Sequence, residues 1–429
     1  MSTTLSKIAM KAKTEPKIRF TSLAHLLTPE YLKENWRQMN KAAVGGIDGE
    51  TIEQFGSNLE ERIEGIVAKL KSGNYRVPLI RRVDIPKGKG KSRPLSITTV
   101  EDRLVQRAVA GILSAIFEQD FLDISHGYRP GRNAHGALRS LRSQIIAGKV
   151  RYVYEADISG YFTAIDHDWI RKMLRQRIAD KTILRLIDKW LKVGVMFEES
   201  KHNDSGIMQG GPISCILANL YLHYVLDLWF ERVFKKTIRG EAYITRFVDD
   251  FVCCFQNKED AEKFDLELKV RMKKFELKLA EDKTRMIQFG RFARSDLSKT
   301  KSKPETFVFL GFEHVCGIDK DGKFALIRIP SRKSCRRFLD RTKEWLRRHI
   351  HWRRTDQRIQ LTIMLNGFYQ YFGLTHCKPK LDNIHHEVKR QWRHAIKRQS
   401  QRHYVYWSYL NSKSWFNLPY AKIGLHPTV

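Results

Sequence analysis

The segment "YITRFVDDFVCCF", residues 243 to 255, constrains the fold more than any other stretch of the chain. It is built from β-formers and aromatics, yet two adjacent carboxylates, Asp249 and Asp250, interrupt it between Phe247-Val248 and Phe251-Val252. Aspartate is depleted in strands, and charges are rarely buried unless paired or bound to a metal. The pair must therefore sit at a turn, on a solvated edge, or in a site whose cations offset the desolvation. A type I′ hairpin with the two aspartates as its turn residues suits the local sequence as well as a metal site does. Cys253 and Cys254 point to opposite faces of the strand and read as small apolar fillers.

Other segments favour the metal site. "RYVYEADISGYF", 151 to 162, places Asp157 at the end of an apolar strand, before a turn containing Gly160. Three carboxylates at strand ends or turns can converge on one sheet edge. Carboxylate oxygens suit Mg²⁺, which keeps waters and binds substrate phosphates. Two such ions, roughly 3.5–4 Å apart, serve both the attacking and the leaving oxygen of a phosphoryl transfer. "IPKGKGKSRPL" sets Lys87, Lys89, Lys91 and Arg93 on a glycine-bearing turn suited to a triphosphate. "GIMQGGPISCILANLYLH" puts Gln209, Gly210 and Gly211 before a helix capped around Ser214, and paired glycines let backbone approach a ligand closely. Phe162 follows Asp157 closely and is either a core ring or one set against the sugar of a bound nucleotide.

Charge narrows the partners. The chain holds 78 Lys+Arg against 47 Asp+Glu, a net charge of +31, and such a field favours polyanions. There is no continuous apolar run of the length a membrane span needs, and an anionic membrane surface has no use for the carboxylates. The N-terminus lacks an apolar signal core, so the expected location is the cytoplasm, with association to the nucleoid compatible with the charge. Six cysteines without a CxxC pair argue against structural zinc and for a reducing compartment.

Length predicts two or three domains. Residues 22 to 70 read as helical, with Thr28 as an N-cap and Pro29 at the first helical position. "YRVPLIRRVDIP" reads as a strand, "VEDRLVQRAVAGILSAIFEQ" as a helix, and 167 to 194 as one helical stretch. "DKTRMIQFG" and "TFVFLGFEHV" are further strands, and the chain is helical and basic from about 330. Strands alternating with long helices indicate an α/β or α+β core. "SRKSCRRFLDRTKEWLRRHIHWRR" holds ten Lys/Arg and two Asp/Glu. It sets Arg332, Lys333, Arg336, Arg337, Arg347 and Arg348 on a cationic helix suited to phosphate tracking. "HHEVKRQWRHAIKRQSQRH", from 385, is a second such helix. His349, His351, His385 and His386 read as surface or phosphate-contacting residues rather than metal ligands.

Six segments occur in order: "SRPLSITTVEDRLVQRAV", "HGYRPGRNAHGAL", "ADISGYFTAIDH", "MQGGPISCILANLYLH", "RFVDDFV" and "FLGF". With them the chain, from about residue 20 to its last residues, resembles the reverse transcriptases encoded by group II introns, also called intron maturases, in the form without an endonuclease domain. The resemblance implies an α+β right hand of fingers, palm and thumb, with an antiparallel palm sheet and a helical basic thumb. It divides the chain into an N-terminal extension and start of the fingers (1–75), fingers and palm (76–304), end of palm and thumb (305–403), and a tail (404–429). It implies that Asp157, Asp249 and Asp250 hold two Mg²⁺ ions, for which Mn²⁺ can substitute. Lys87 and Arg93 would contact the dNTP triphosphate, Gln209 would lie against the incoming nucleotide, and Phe162 would be a steric gate against a 2′-hydroxyl. The implied partners are RNA template and primer, dNTPs and group II intron RNA, with target DNA as a further candidate. The implied activity is RNA-directed DNA polymerisation, with assistance to intron splicing and mobility. The alternatives are a splicing cofactor in which polymerisation is secondary, and a free-standing enzyme of defence or repair. The chain departs from the family at Phe247-Val248, where Tyr-Ala is usual, and at "PLSITT", where "PLGIPT" is commoner.

Overall fold

Strand runs with no alternation need cover on both faces, and the central sheet has it. In the computed structural model, which describes residues 3–88, 91–195, 206–293, 303–399 and 405–424, four antiparallel strands stand in the order β4-β5-β3-β6. They are β3 (Tyr152–Ala156), β4 (Ala242–Phe247), β5 (Asp250–Phe255) and β6 (Arg285–Gln288). Tyr154, Cys253 and Phe255 face one core, while Val153, Val252, Cys254 and Ile287 face another. The two adjacent cysteines thus fill two different cores, as the strand period requires.

The first core is built with helices Pro29–Arg37, Leu59–Lys71, Val100–Phe117 and Pro212–Leu222. Thr28 caps the first of these, its hydroxyl accepting from the Tyr31 N–H at 3.2 Å. The second core holds helix Ala134–Ala147, a three-stranded sheet β7 (Phe307–Phe309), β8 (Phe312–Ile318) and β9 (Phe324–Pro330), and helices Arg332–Arg348, Arg354–Phe372 and Lys378–Lys397. Phe416 of the tail stacks on Trp392 with centroids 4.9 Å apart. A two-stranded ribbon, β1 (Arg81–Gly88) with β2 (Lys91–Ile97), stands apart from both sheets.

Several expectations shift. Residues 243–255 form a hairpin, β4 and β5, whose turn begins one residue before the aspartate pair. The helical stretch from 167 breaks between Leu174 and Lys181. There Asp180 accepts from the backbone N–H groups of Leu23, Ala24, Thr182 and Ile183 and pins the break to the N-terminal segment. The helix after the glycine pair starts at Pro212 with Gly211 as N-cap, so Ser214 lies inside its first turn. His385 is buried, not on the surface. Its ring stacks on Tyr420 and bonds the Pro419 carbonyl, because the tail covers it. The Lys/Gly-rich stretch is mostly ribbon strand; Lys89 and the side chains of Lys87, Lys91 and Arg93 lie outside the described residues. One helical run, Pro212–Lys236, is long and apolar enough to cross a membrane by length and composition, but 83% of its apolar window is buried inside the molecule.

Candidate active site

Pairing in the central sheet brings the three aspartates to one end. Ala156 of β3 lies opposite Phe251 of β5, so Asp157, just past β3, arrives beside Asp250, the first residue of β5. Phe247 pairs with Asp250 across a two-residue turn, Val248-Asp249. The turn is thus one residue earlier than a turn on the two aspartates. Val248 takes a φ of 62°, the left-handed region. Asp249 sits at the tip of the hairpin and Asp250 at its base.

The electrostatics follow from the crowding. The Asp250 carboxyl is pushed up to about 8, first by burial and then by the charges of Asp157, Asp249 and Glu155, with Lys283 acting against them. Lys283 forms an ion pair with Asp157, and that hydrogen bond raises the ammonium above its ordinary range. The chain delivers this lysine by pairing the segment after β3 with the segment before β6. Ile158 bridges Leu279, and the Ala280 N–H donates to the Asp157 carbonyl at 2.8 Å. Sequence reading missed Lys283, which sits among ordinary charged residues in "LAEDKTRM".

The backbone ties the Phe162 segment to the chain just before Gln209, and Gln209 to the ribbon. Phe162 lies on the short helix Tyr161–Ala164, half-buried against the first core, and its carbonyl accepts from Ile207 N–H at 2.7 Å. The Gln209 carbonyl accepts from Ser96 N–H of β2 at 2.7 Å, tying the glycine turn to the ribbon that carries Lys87 and Arg93. Gly210 has a φ of 118°, and a Cβ there would lie 2.6 Å from the Ser96 carbonyl oxygen, so only glycine fits. The Gln209 Oε1 is buried without a hydrogen-bond partner. The cationic residues Arg332, Lys333, Arg336, Arg337, Arg347 and Arg348 are all exposed on helix Arg332–Arg348, while Phe338, Thr342 and Leu346 face inward. Arg347 and Arg348 share Glu344 at 3.0 and 2.8 Å.

The donor set fits a hard divalent cation bound with its substrate. Among the described residues no three His, Cys, Asp or Glu side chains close into a ready ligand cage. Mg²⁺ does not need one, because it binds through one or two carboxylates completed by water and phosphate oxygens. The carboxylates here repel one another, and the chain's own ammonium, Lys283, stands in as counter-cation at Asp157.

Residues 85–314 match the family model of the reverse transcriptase (RNA-dependent DNA polymerase). The chain is 34% identical over 245 residues to Protein YkfC of Escherichia coli (strain K12), covering 55% of this chain and 64% of that protein. It is 38% identical over 234 residues to the group II intron-encoded protein LtrA of Lactococcus lactis subsp. cremoris, covering 52% of this chain and 38% of that protein. It is 34% identical over 112 residues to Nuclear intron maturase 1, mitochondrial, of Arabidopsis thaliana, covering 25% and 16%. The chain therefore spans less than two thirds of the length of each of these relatives.

Proposed function

The chain belongs to the group II intron reverse transcriptase and maturase family, and on that premise we propose that it is an RNA-directed DNA polymerase that joins a primer 3′-hydroxyl to the α-phosphate of a dNTP. One observation carries the reading: Asp157, Asp249 and Asp250 gather at one end of the central sheet, held at a cost that bare RNA binding does not require. In this reading the central sheet is the palm, the β1–β2 ribbon belongs to the fingers, and the helices from Arg332 form the thumb. The chemistry supplied by two bound Mg²⁺ ions is activation of the attacking oxygen and neutralisation of the leaving one. Asp157, Asp249 and Asp250 are the residues that would hold the ions. Lys283 balances the carboxylate charge in the free protein. Lys87 and Arg93 grip the triphosphate, Gln209 offers its unpartnered Oε1 to the nucleotide, and the Phe162 ring excludes a 2′-hydroxyl. The exposed cations of helix Arg332–Arg348 hold the template–primer through its phosphates.

A second reading, an RNA-binding splicing cofactor, is favoured by that same cationic helix, which needs no carboxylates to bind intron RNA. Primer extension on an RNA template with dNTPs and Mg²⁺ separates the two, comparing wild type with the Asp249→Ala, Asp250→Ala double variant. We expect extension by wild type, none by the variant, and undiminished RNA binding by both. Extension by the variant refutes the site. No extension by either, with tight salt-sensitive RNA binding, makes the splicing cofactor the primary function.

A further inference from the structure

Behind the aspartate turn lies a charged cluster with no solvent exposure. Arg246 of β4 and Asp227 of the helical run from Pro212 are both 0% exposed. The Arg246 Nε donates to Asp227 Oδ1 at 2.7 Å and Nη2 to Oδ2 at 2.5 Å, a bidentate pair. Its Nη1 has other acceptors: the Val248 carbonyl at 2.8 Å and Asn219 Oδ1 at 3.2 Å. Asn219 donates in turn to the Gly127 carbonyl at 2.7 Å. The arginine's own backbone is clamped, donating to Ile124 O at 2.8 Å and accepting from His126 N–H at 2.9 Å.

Two uncommon backbone features meet at this guanidinium. Val248 is a β-branched residue at a φ of 62°, a conformation that persists only where the surroundings over-determine it. The helix from Pro212 also widens into a π turn over His223–Asp227. Asp227 follows Asn219 by eight residues, which in regular α-helix would leave the two about 80° apart around the axis. The wider turn brings Asp227 back toward the face of Asn219, so both reach one guanidinium. Such π turns are frequent at functional sites. An ion pair that only filled the core would not need a hydrogen on the carbonyl of a strained turn residue.

We propose that Arg246 is a positioning residue: through Nη1 it holds the Val248 carbonyl, and thereby the left-handed turn that aims Asp249 and Asp250, while Asp227 and Asn219 orient the guanidinium. The effect on rate rests on the polymerase reading; the effect on the turn does not. The test is the double variant Arg246→Met, Asp227→Leu, which removes both charges and keeps apolar volume, a replacement that folds tolerate. Its melting temperature should stay close to wild type. Amide hydrogen exchange over residues 247–251 should quicken about tenfold relative to β3 and β6. The kcat for RNA-templated extension should fall about 100-fold, with KM for dNTP and RNA affinity unchanged. Arg246→Lys keeps the charge but not the fork, and should show the same exchange change in smaller measure. If the double variant does not fold, Asn219→Ala, which leaves the ion pair in place, is read by the same exchange criterion. A folded variant with wild-type exchange and wild-type kcat overturns the proposal. If wild type copies no RNA, the polymerase reading falls, and the exchange result alone still decides whether Arg246 holds the turn.

Discussion

Two hairpins, Phe247-Val248-Asp249-Asp250 and Phe309-Leu310-Gly311-Phe312, belong to sheets that meet where β5 packs against β7. Each has a two-residue loop, and each opens on an aliphatic residue at positive φ, 62° at Val248 and 50° at Leu310. The second continues with Gly311 at 79°, the double-positive pattern of a type I′ turn with glycine where the backbone asks for it. In the first, Asp249 is not among the residues at positive φ, the pattern of a type II′ turn, whose first position favours glycine. Valine stands there instead. The supports differ accordingly. The Leu310 carbonyl accepts from the Tyr371 hydroxyl at 2.9 Å at the half-exposed edge of the second core. The Val248 carbonyl accepts from a guanidinium that sees no solvent. One hairpin follows from its own sequence and the other is imposed by the core behind it, leaving its tip positions to carboxylates.

The sharpest way to break this contrast is to add one methyl group near each turn. In Gly127→Ala the new Cβ would lie 2.7 Å from the Val248 backbone nitrogen and 3.2 Å from the Phe247 carbonyl carbon, so the aspartate hairpin must move. We expect a loss of about 2–3 kcal/mol in urea unfolding and a drop in primer extension of about 100-fold. In Gly311→Ala the nearest atom is the Ser334 hydroxyl at 3.0 Å, which can rotate away, and the cost is the left-handed φ, about 1–2 kcal/mol. Extension should be unchanged. Equal effects of the two substitutions on extension would erase the distinction.

A smaller effect separates the hairpins by pH. Each is backed by a buried histidine kept neutral. His126, beside Arg246, is lowered to about 4 by burial and then by Arg132 and Arg129; His314 on β8 is lowered to about 3 by burial and then by Arg328. A folded pKa below the unfolded value means stability that is full above about 6.5 and declines as pH falls toward the folded value. Asp250 carries the opposite sign, since its raised pKa favours the metal-free protein as pH falls. Differences between variants are therefore the clean measure. Between pH 7 and 4.5 the stability of wild type relative to His314→Phe should fall by on the order of 2 kcal/mol in urea titrations. No change in that difference would mean that His314 does not meet acid as a buried neutral ring.

The parts of this architecture that depend on local pattern were legible in the chain. Thr28 and Pro29 announced a helix start that the hydroxyl bond to Tyr31 realises, and the strand that ends just before Asp157 and the one that begins at Asp250 lie where their apolar runs placed them. The position of the turn was not legible, because valine is among the residues least suited to positive φ, and its contact with Gly127 and the Asp227 and Asn219 partners of Arg246 come from distant segments. Lys283 was hidden for a related reason: its approach to Asp157 depends on the Ile158–Leu279 bridge, a pairing between distant segments. His385 reads as a surface residue until the tail lays Tyr420 over it. Arg246 and Asp227 did leave a trace. A charge in "YITRF" and another in "ILANLYLHYVLDLWF" interrupt elements that are otherwise apolar, and such charges need each other.

The gentlest substitution tests whether the second hairpin is self-sufficient. Tyr371→Phe removes only the hydroxyl that meets the Leu310 carbonyl, and the ring keeps its packing on Phe312 and Phe372. Burial, with a smaller contribution from the charge of Asp250, pushes that phenol up to about 12, so it is a neutral donor at ordinary pH and its loss carries no charge penalty. We expect about 1 kcal/mol in urea unfolding, the ordinary worth of one hydrogen bond. Amide exchange over 309–312 should barely change, because Gly311 still supplies the conformation, and extension should stay at the wild-type rate. Rapid exchange at 309–312 in Tyr371→Phe would show that this turn, too, is held from outside, and the contrast with Val248 would then be one of degree, set by how deeply each donor is buried.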